Sequence, residues 1–136
     1  MKILFMCVAN SARSQLAEGI AKQIFADSFD IRSAGSVPTK VNPFAARVLS
    51  EVGADYTSLY SKAVTDLPDE FVNSLDYIIT LCAEEVCPII FSKAKKLHWP
   101  LPDPAGKDGD DEIQMTRFRN TREDIRKLLV DFSQEI

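Results

Sequence analysis

Eight residues near the start constrain this chain more than any other stretch: Cys7-Val8-Ala9-Asn10-Ser11-Ala12-Arg13-Ser14. The apolar run Ile3-Leu4-Phe5-Met6 precedes them and reads as a buried strand. Leu16, Ala17, Ile20, Ala21, Ile24 and Phe25 follow at helical spacing on one face. The order is strand, tight loop, helix, with Cys7 at the strand end and Arg13 entering the helix. Such a loop turns backbone N–H groups inward, and the helix N-terminus adds partial positive charge. Arg13 can grip a tetrahedral oxyanion with two parallel hydrogen bonds. The same field favours the thiolate form of Cys7. Nucleophile, cation and an oxyanion cradle running from Val8 to Ser14 thus come from one loop. A buried structural cysteine with an unrelated helix arginine is the bland alternative, because Cys-x5-Arg alone arises by chance. The preceding strand, the following helix and the Ser after Arg13 favour the functional reading.

The rest of the chain alternates strands with helices. Phe29–Ser33 reads as a strand closed by Ala34-Gly35. Asn42-Pro43 opens a helix, with Asn as N-cap and Pro at the first helical position, and Gly53 stops it. Asp55–Thr65 is irregular or holds a short strand. Leu67–Ser74 fits a short helix, Asp76–Leu81 a strand, and Ala83–Ile90 a short helix or loop. Lys96–Trp99 reads as the last strand, followed by the stiff loop Pro100–Gly106 and a polar, mobile stretch from Lys107 to Glu112. A final helix is expected from about Thr121, with Thr121 and Asp124 as a capping box, to Phe132. This pattern predicts an α/β fold: one domain over residues 1–136, a three-layer sandwich of a four-stranded parallel sheet with helices on both faces. Active sites of such sheets lie at the carboxyl ends of strands. Cys7, Cys82 and Asp103 all follow strand ends and can converge there.

Composition excludes several classes. The net charge is −4 and the basic residues are scattered, which argues against nucleic-acid binding. No basic leader with an apolar core and no membrane-length apolar run is present, so a cytoplasmic location and no membrane are expected. Three cysteines do not make a secreted disulfide framework, and thiols near a nucleophile suggest redox chemistry. Cys82, Cys87 and His98 make a poor zinc site without a fourth ligand, so no metal is expected. Asp103, held between Pro102 and Pro104, is the candidate general acid.

The Cys7 loop with Ser14 after Arg13 resembles the low-molecular-weight tyrosine phosphatases, and more closely the arsenate reductases built on that fold. The redox segment Thr80-Leu81-Cys82 with Cys87-Pro88 is similar to that of the thioredoxin-coupled arsenate reductases. So is His98-Trp99 with Asp103-Pro104-Ala105-Gly106-Lys107, the loop that carries the acid. The resemblance covers essentially the whole chain. It implies a monomer without cofactor that reduces arsenate by a relay of three thiols. Cys7 attacks arsenate and Asp103 protonates the departing oxygen. Cys82 then attacks Cys7, releasing arsenite. Cys87 attacks Cys82, and thioredoxin reduces the resulting Cys82–Cys87 disulfide.

Three departures from the family pattern stand out. Four residues separate Cys82 from Cys87, fewer than in the thioredoxin-coupled pattern, so glutaredoxin with glutathione remains open as the reductant. Ala12 stands where many of these reductases carry an extra loop cysteine outside the relay. Potassium-binding members use an Asn, a Glu, a Ser and an Asp beside the loop. Asn10, Glu18 and Ser33 match the first three, but Ser61-Lys62 replaces Ser-Asp. The expectation is that the Lys62 ammonium, paired with Glu18, takes the ion's place. Asn10, Ser14, Glu18, Ser33 and Lys62 then form the support of the loop. Two rival readings remain: a tyrosine or small phosphomonoester phosphatase using Cys7, Arg13 and Asp103, and a non-catalytic oxyanion or redox sensor.

Overall fold

A computed structural model describes residues 1–83 and 89–136; the expectations for Cys87 and most of the 83–90 segment lie outside the described residues. Four strands, β1 (Lys2–Met6), β2 (Asp30–Ala34), β3 (Tyr77–Thr80) and β4 (Lys95–His98), form one sheet in the order β2-β1-β3-β4, and every pair is parallel. Met6 lies opposite both Ala34 and Thr80, and Thr80 lies opposite His98. The strands therefore end level. The residues after them, from Cys7, Gly35, Leu81 and Trp99 onward, leave along one edge.

The helices are α1 (Arg13–Ile24), α2 (Pro43–Glu51), α3 (Asp69–Asn73) and α4 (Asp111–Glu135), with a 3-10 turn at Val64–Asp66. Side chains alternate across a strand. Ile3 and Phe5 accordingly pack with Leu16, Ile20, Leu49, Phe118 and Leu129 from α1, α2 and α4. Leu4 and Met6 face the other way, onto Leu67, Phe71, Leu75 and Ile78. Both faces of β1 are covered, which is why the strand reads as an unbroken apolar run. Burying each of these side chains is worth roughly 1.5–3 kcal/mol, so β1 is the best anchored strand of the sheet. The expected three-layer sandwich is the one the chain forms.

Asn42 caps α2 as its sequence predicts, its Oδ1 accepting from Phe44 N at 2.9 Å. The last helix departs from expectation. It begins at Asp111, about ten residues before Thr121, with Asp110 Oδ1 accepting from Ile113 N at 3.0 Å. Thr121 is no cap: it lies within the helix, and its hydroxyl donates to the Arg117 carbonyl at 3.1 Å. Thr121 occupies a position in the buried stripe Met115, Phe118, Thr121, Ile125, Leu129 and Phe132. A hydroxyl in that stripe, among many charged neighbours, hides the upstream half of the helix from a periodicity argument. The polar stretch expected to be mobile is thus partly the cap and first turn of α4. At the other end, Phe132 sets its ring edge-on to Tyr77 and Trp99, at 4.9 and 5.7 Å between centroids, and ties α4 to the sheet.

Candidate active site

The loop from Cys7 to Ser14 is held by its carbonyls. Val8 O accepts from Val37 N at 3.0 Å, Ala9 O from Thr39 N at 3.1 Å, and Ser11 O from Asn42 N at 3.0 Å. Across a planar trans peptide the next N–H points the opposite way. The N–H groups of Ala9 and Ala12 are therefore turned away from the 37–42 segment. The segment can approach this closely because Gly35 has no side chain: a Cβ there would lie 2.3 Å from Val8 O.

Asn10 is the hub. It adopts a φ of 48°, a left-handed conformation that Asn tolerates better than most residues. Its Nδ2 donates to Ser14 Oγ at 2.7 Å and to Ser33 Oγ at 3.0 Å. Its Oδ1 accepts from Gln15 Nε2 at 2.9 Å and from Lys62 N at 3.0 Å. Because Asn10 spends both amide hydrogens on the two serines, each hydroxyl proton is free to go onward. Ser33 donates to Glu18 Oε1 at 2.6 Å. Ser14 Oγ lies 2.8 Å from Cys7 Sγ and can donate to the sulfur. The side-chain chain Glu18–Ser33–Asn10–Ser14–Cys7 is buried along its length.

Lys62 closes the far end of this chain. Its Nζ lies 3.8 Å from Glu18 Oε1, 3.0 Å from the Tyr60 carbonyl and 4.2 Å from the centroid of the Tyr60 ring. Burial pushes its ammonium pKa below the ordinary lysine value, and the Glu18 charge opposes that shift. Lys22, one turn along α1, takes the other oxygen of Glu18 at 2.7 Å.

Arg13 opens α1, which has no acidic side chain in its first turn and no side-chain cap. Its Nη1 donates to Leu101 O at 3.0 Å and reaches Leu81 O at 3.5 Å. Its Nη2 lies 3.8 Å from Asp103 Oδ2. Asp103 Oδ1 accepts from Ala105 N at 3.0 Å, a turn that aims the other oxygen back at Arg13. A cavity of about 210 Å³ results, with Cys7, Ser11, Arg13, Thr39 and Asp103 among its lining and no aromatic side chain among the described residues that line it. Arg13 is buried whereas the Asp103 side chain is about half exposed. Cys82 directly follows Leu81, whose carbonyl receives Arg13 Nη1 and also Leu101 N at 3.2 Å. It is fully buried and disulfide-bonded, whereas Cys7 is free.

Two residues of this arrangement were not singled out from the sequence. Gln15 bridges the loop to the Tyr60 carbonyl at 3.1 Å. Its one available signal is that it lies one helical turn before Glu18, on the same polar stripe of α1. Thr39 lines the cavity, and its N–H also reaches Ser61 Oγ at 3.1 Å. Nothing local marks it, since its place is set by pairing with the Cys7 loop. His98 stands apart, its Nδ1 2.7 Å from Thr80 Oγ1 on the exposed side of the sheet. Among the described residues no three His, Cys, Asp or Glu side chains form a group that could hold a metal ion. None of the described helices is long and apolar enough to cross a membrane.

A parallel α/β sheet with a Cys-x5-Arg-Ser loop at its carboxyl edge and an aspartate facing the arginine defines a class. Residues 2–136 match the low molecular weight phosphotyrosine protein phosphatase family, and the chain belongs to it. Within that family it is similar to arsenate reductases. The arsenate reductase of Halalkalibacterium halodurans is 37% identical over 134 residues, covering 97% of this chain and 94% of the relative. A solved arsenate reductase in its phosphate-binding state superposes with a TM-score of 0.79 at 27% identity, covering 99% of this chain and 98% of the other. The thioredoxin-dependent arsenate reductase of Corynebacterium glutamicum gives a TM-score of 0.70 at 30% identity, covering 99% of this chain and 63% of that one.

Proposed function

We propose that this protein reduces arsenate to arsenite, with residues 1–136 acting as one cytoplasmic domain and thioredoxin supplying the electrons. The observation that carries this reading is Cys82: a second buried cysteine stands one residue from the carbonyl that anchors Arg13. Hydrolysis of a cysteinyl phosphate needs no such thiol.

Arsenate sits in the 210 Å³ cavity against Arg13 and the start of α1. The Cys7 thiolate attacks arsenic and forms a sulfur–arsenic bond. The arsenic–oxygen bond opposite breaks, and Asp103 gives the departing oxygen its proton, so that water leaves. Ser14 donates to the sulfur and holds it toward the cavity. The Cys82 thiolate then attacks the Cys7 sulfur. The sulfur–arsenic electron pair passes to arsenic, which leaves as arsenite, and a Cys7–Cys82 disulfide forms. Cys87 attacks Cys82 and frees Cys7. A dithiol reductant returns two electrons to the Cys82–Cys87 pair. The aliphatic and polar cavity lining suits a small oxyanion better than a phosphotyrosine ring. Phosphate shares the shape and charge of arsenate and should compete for the same place.

Lys62 supports the loop in place of a bound cation, through Glu18 and Ser33. A cation site that exchanges a carboxylate for a buried ammonium binds potassium poorly. Turnover should therefore be the same in potassium and sodium at fixed ionic strength, and a several-fold rise with potassium would refute the substitution.

The test of the whole reading is arsenate-dependent NADPH oxidation with thioredoxin and thioredoxin reductase. Wild type should turn over, and Cys82→Ser and Cys87→Ser should not. Loss in Cys82→Ser alone would point to glutaredoxin with glutathione as the reductant. Hydrolysis of p-nitrophenyl phosphate by all three proteins, without arsenate turnover, would make the protein a phosphatase.

A further inference from the structure

The loop that carries Asp103 is tied down at both ends by arginines. Upstream, Leu101 O accepts from Arg13 Nη1 at 3.0 Å, and Leu101 N donates to Leu81 O at 3.2 Å. Downstream, Arg117 Nη2 donates to Lys107 O at 3.0 Å and to Asp108 O at 2.8 Å. Asp103 lies between, two residues after one anchor and four before the other.

Between the anchors packing does little. Pro102, Asp103, Gly106, Lys107 and Asp108 are exposed. Pro102 and Pro104 fix their own φ angles, and the Asp103 carboxylate closes a turn on Ala105 N. Gly106 then takes a φ of 72° with nothing within 4 Å of an added Cβ, so the backbone can swivel there without meeting a neighbour. Past that glycine, the two carbonyls held by Arg117 return the chain to α4. Arg117 stands on a well-anchored stretch of that helix, with Met115 and Phe118 buried on either side of it.

The stability of α4 does not account for this contact. Asp110 already caps the helix, and Gln114 Nε2 donates to Gly109 O at 3.1 Å. Lys107 O and Asp108 O precede the cap and are not helix carbonyls. On an exposed segment water can satisfy such groups. Reaching them leaves Arg117 Nε buried with no partner among the described residues, which costs stability.

We infer that Arg117 is a positioning residue for the general acid. By fixing the downstream end of the 102–106 loop, it keeps Asp103 Oδ2 aimed at Arg13 and the cavity. The inference rests on the acid role proposed for Asp103, and not on arsenate being the substrate. An oxygen departing from arsenic or from phosphorus needs the same proton.

The test is a double-mutant cycle between Arg117→Gln and Asp103→Asn, with Arg117→Lys beside it. The fully reduced protein is given arsenate without an external reductant, and arsenite formed in one turnover is timed. Hydrolysis of phenyl phosphate, whose poor leaving group needs the acid, is followed in parallel. Inhibition by inorganic phosphate is titrated in both reactions. Arg117→Gln should slow both by up to about 100-fold, the scale of a misplacement of about 1 Å, with phosphate inhibition as in wild type. It should slow Asp103→Asn no further. Arg117→Lys, which keeps a cation but loses the planar fork, should fall between Arg117→Gln and wild type. Equal slowing with and without the Asp103 carboxylate would show a general structural role and overturn the inference. So would wild-type rates in Arg117→Gln, or phosphate inhibition that weakens in step with the rate. The expected pattern on phenyl phosphate in a protein that forms no arsenite would refute the arsenate reading and uphold the role of Arg117.

Discussion

Cys7 and Cys82 leave neighbouring strands of one sheet at the same edge, yet what surrounds them differs. Around Cys7 the supporting side chains form one buried network. Asn10, Ser14, Ser33 and Glu18 are buried and bonded to one another, and the loop carbonyls are taken by the segment after Gly35. On the side of Cys82 the described residues are more exposed. Ile89 and Phe91 face solvent, β4 is an edge strand, and Asp103 is half exposed. A nucleophile that must meet a tetrahedral anion in one geometry gains from a cradle fixed in advance. A disulfide that must meet another protein needs accessible surface. In the proposed relay, binding and electron delivery are separated along one sheet edge.

The sharpest way to break this division is to remove one sulfur from each side. Cys7→Ser should abolish both arsenate reduction and p-nitrophenyl phosphate hydrolysis, while Cys82→Ser should abolish only the first. A Cys82→Ser protein that also loses phosphatase activity would show that the second thiol belongs to the cradle. Next in size, Asp103→Asn should lower kcat by about 10²–10⁴ through loss of the acid. Ser14→Ala, which removes one hydrogen bond to the sulfur, should cost only about tenfold. If the two variants fall equally, Asp103 acts through Arg13 and not as the acid.

Rigidity itself can be compared with two glycines. Gly35→Ala drives a Cβ into the Val8 carbonyl and should destabilise the protein by about 1–3 kcal/mol in a denaturant titration. Gly106, in the acid loop, has a φ of 72° with nothing within 4 Å of an added Cβ. Gly106→Ala should cost about 1 kcal/mol of backbone strain and no more. A reversed order would mean that the acid loop, not the cradle, is the tighter packed.

The smallest effect concerns two lysines. Lys62 is buried, and its folded-state pKa is depressed below the unfolded value near 10.5. Between the two values the unfolded chain binds more protons, so stability rises with pH through that window. The Lys62 contribution is least favourable below it. Lys62→Met should remove this alkaline rise, whereas Lys96→Met, at an exposed position, should leave it intact. Stability curves from pH 7 to 10.5 for the three proteins decide the point.

Much of this molecule is legible from local pattern. The unbroken apolar run of β1, the loop between Cys7 and Arg13, and the Asn42-Pro43 helix start each depend on neighbours in sequence. So does the alternation that predicts a covered parallel sheet. The features that escape are those whose cause is distant. The start of α4 is hidden because Thr121 takes a core position amid charged residues. Thr39 enters the cavity because its N–H pairs with Ala9 from another strand connection.

By itself, then, the sequence singled out Cys7, Arg13, Cys82, Cys87 and Asp103 as the candidates for chemistry and predicted that the strand ends before Cys7, Cys82 and Asp103 share one edge, because side-chain chemistry and strand and helix periods are local properties. Only the tertiary structure decided that Asn10 directs two serine protons, that Gln15 bridges the loop, and that Gly35 must lack a Cβ. Each depends on a contact between residues far apart in the chain, and no local pattern encodes such a distance.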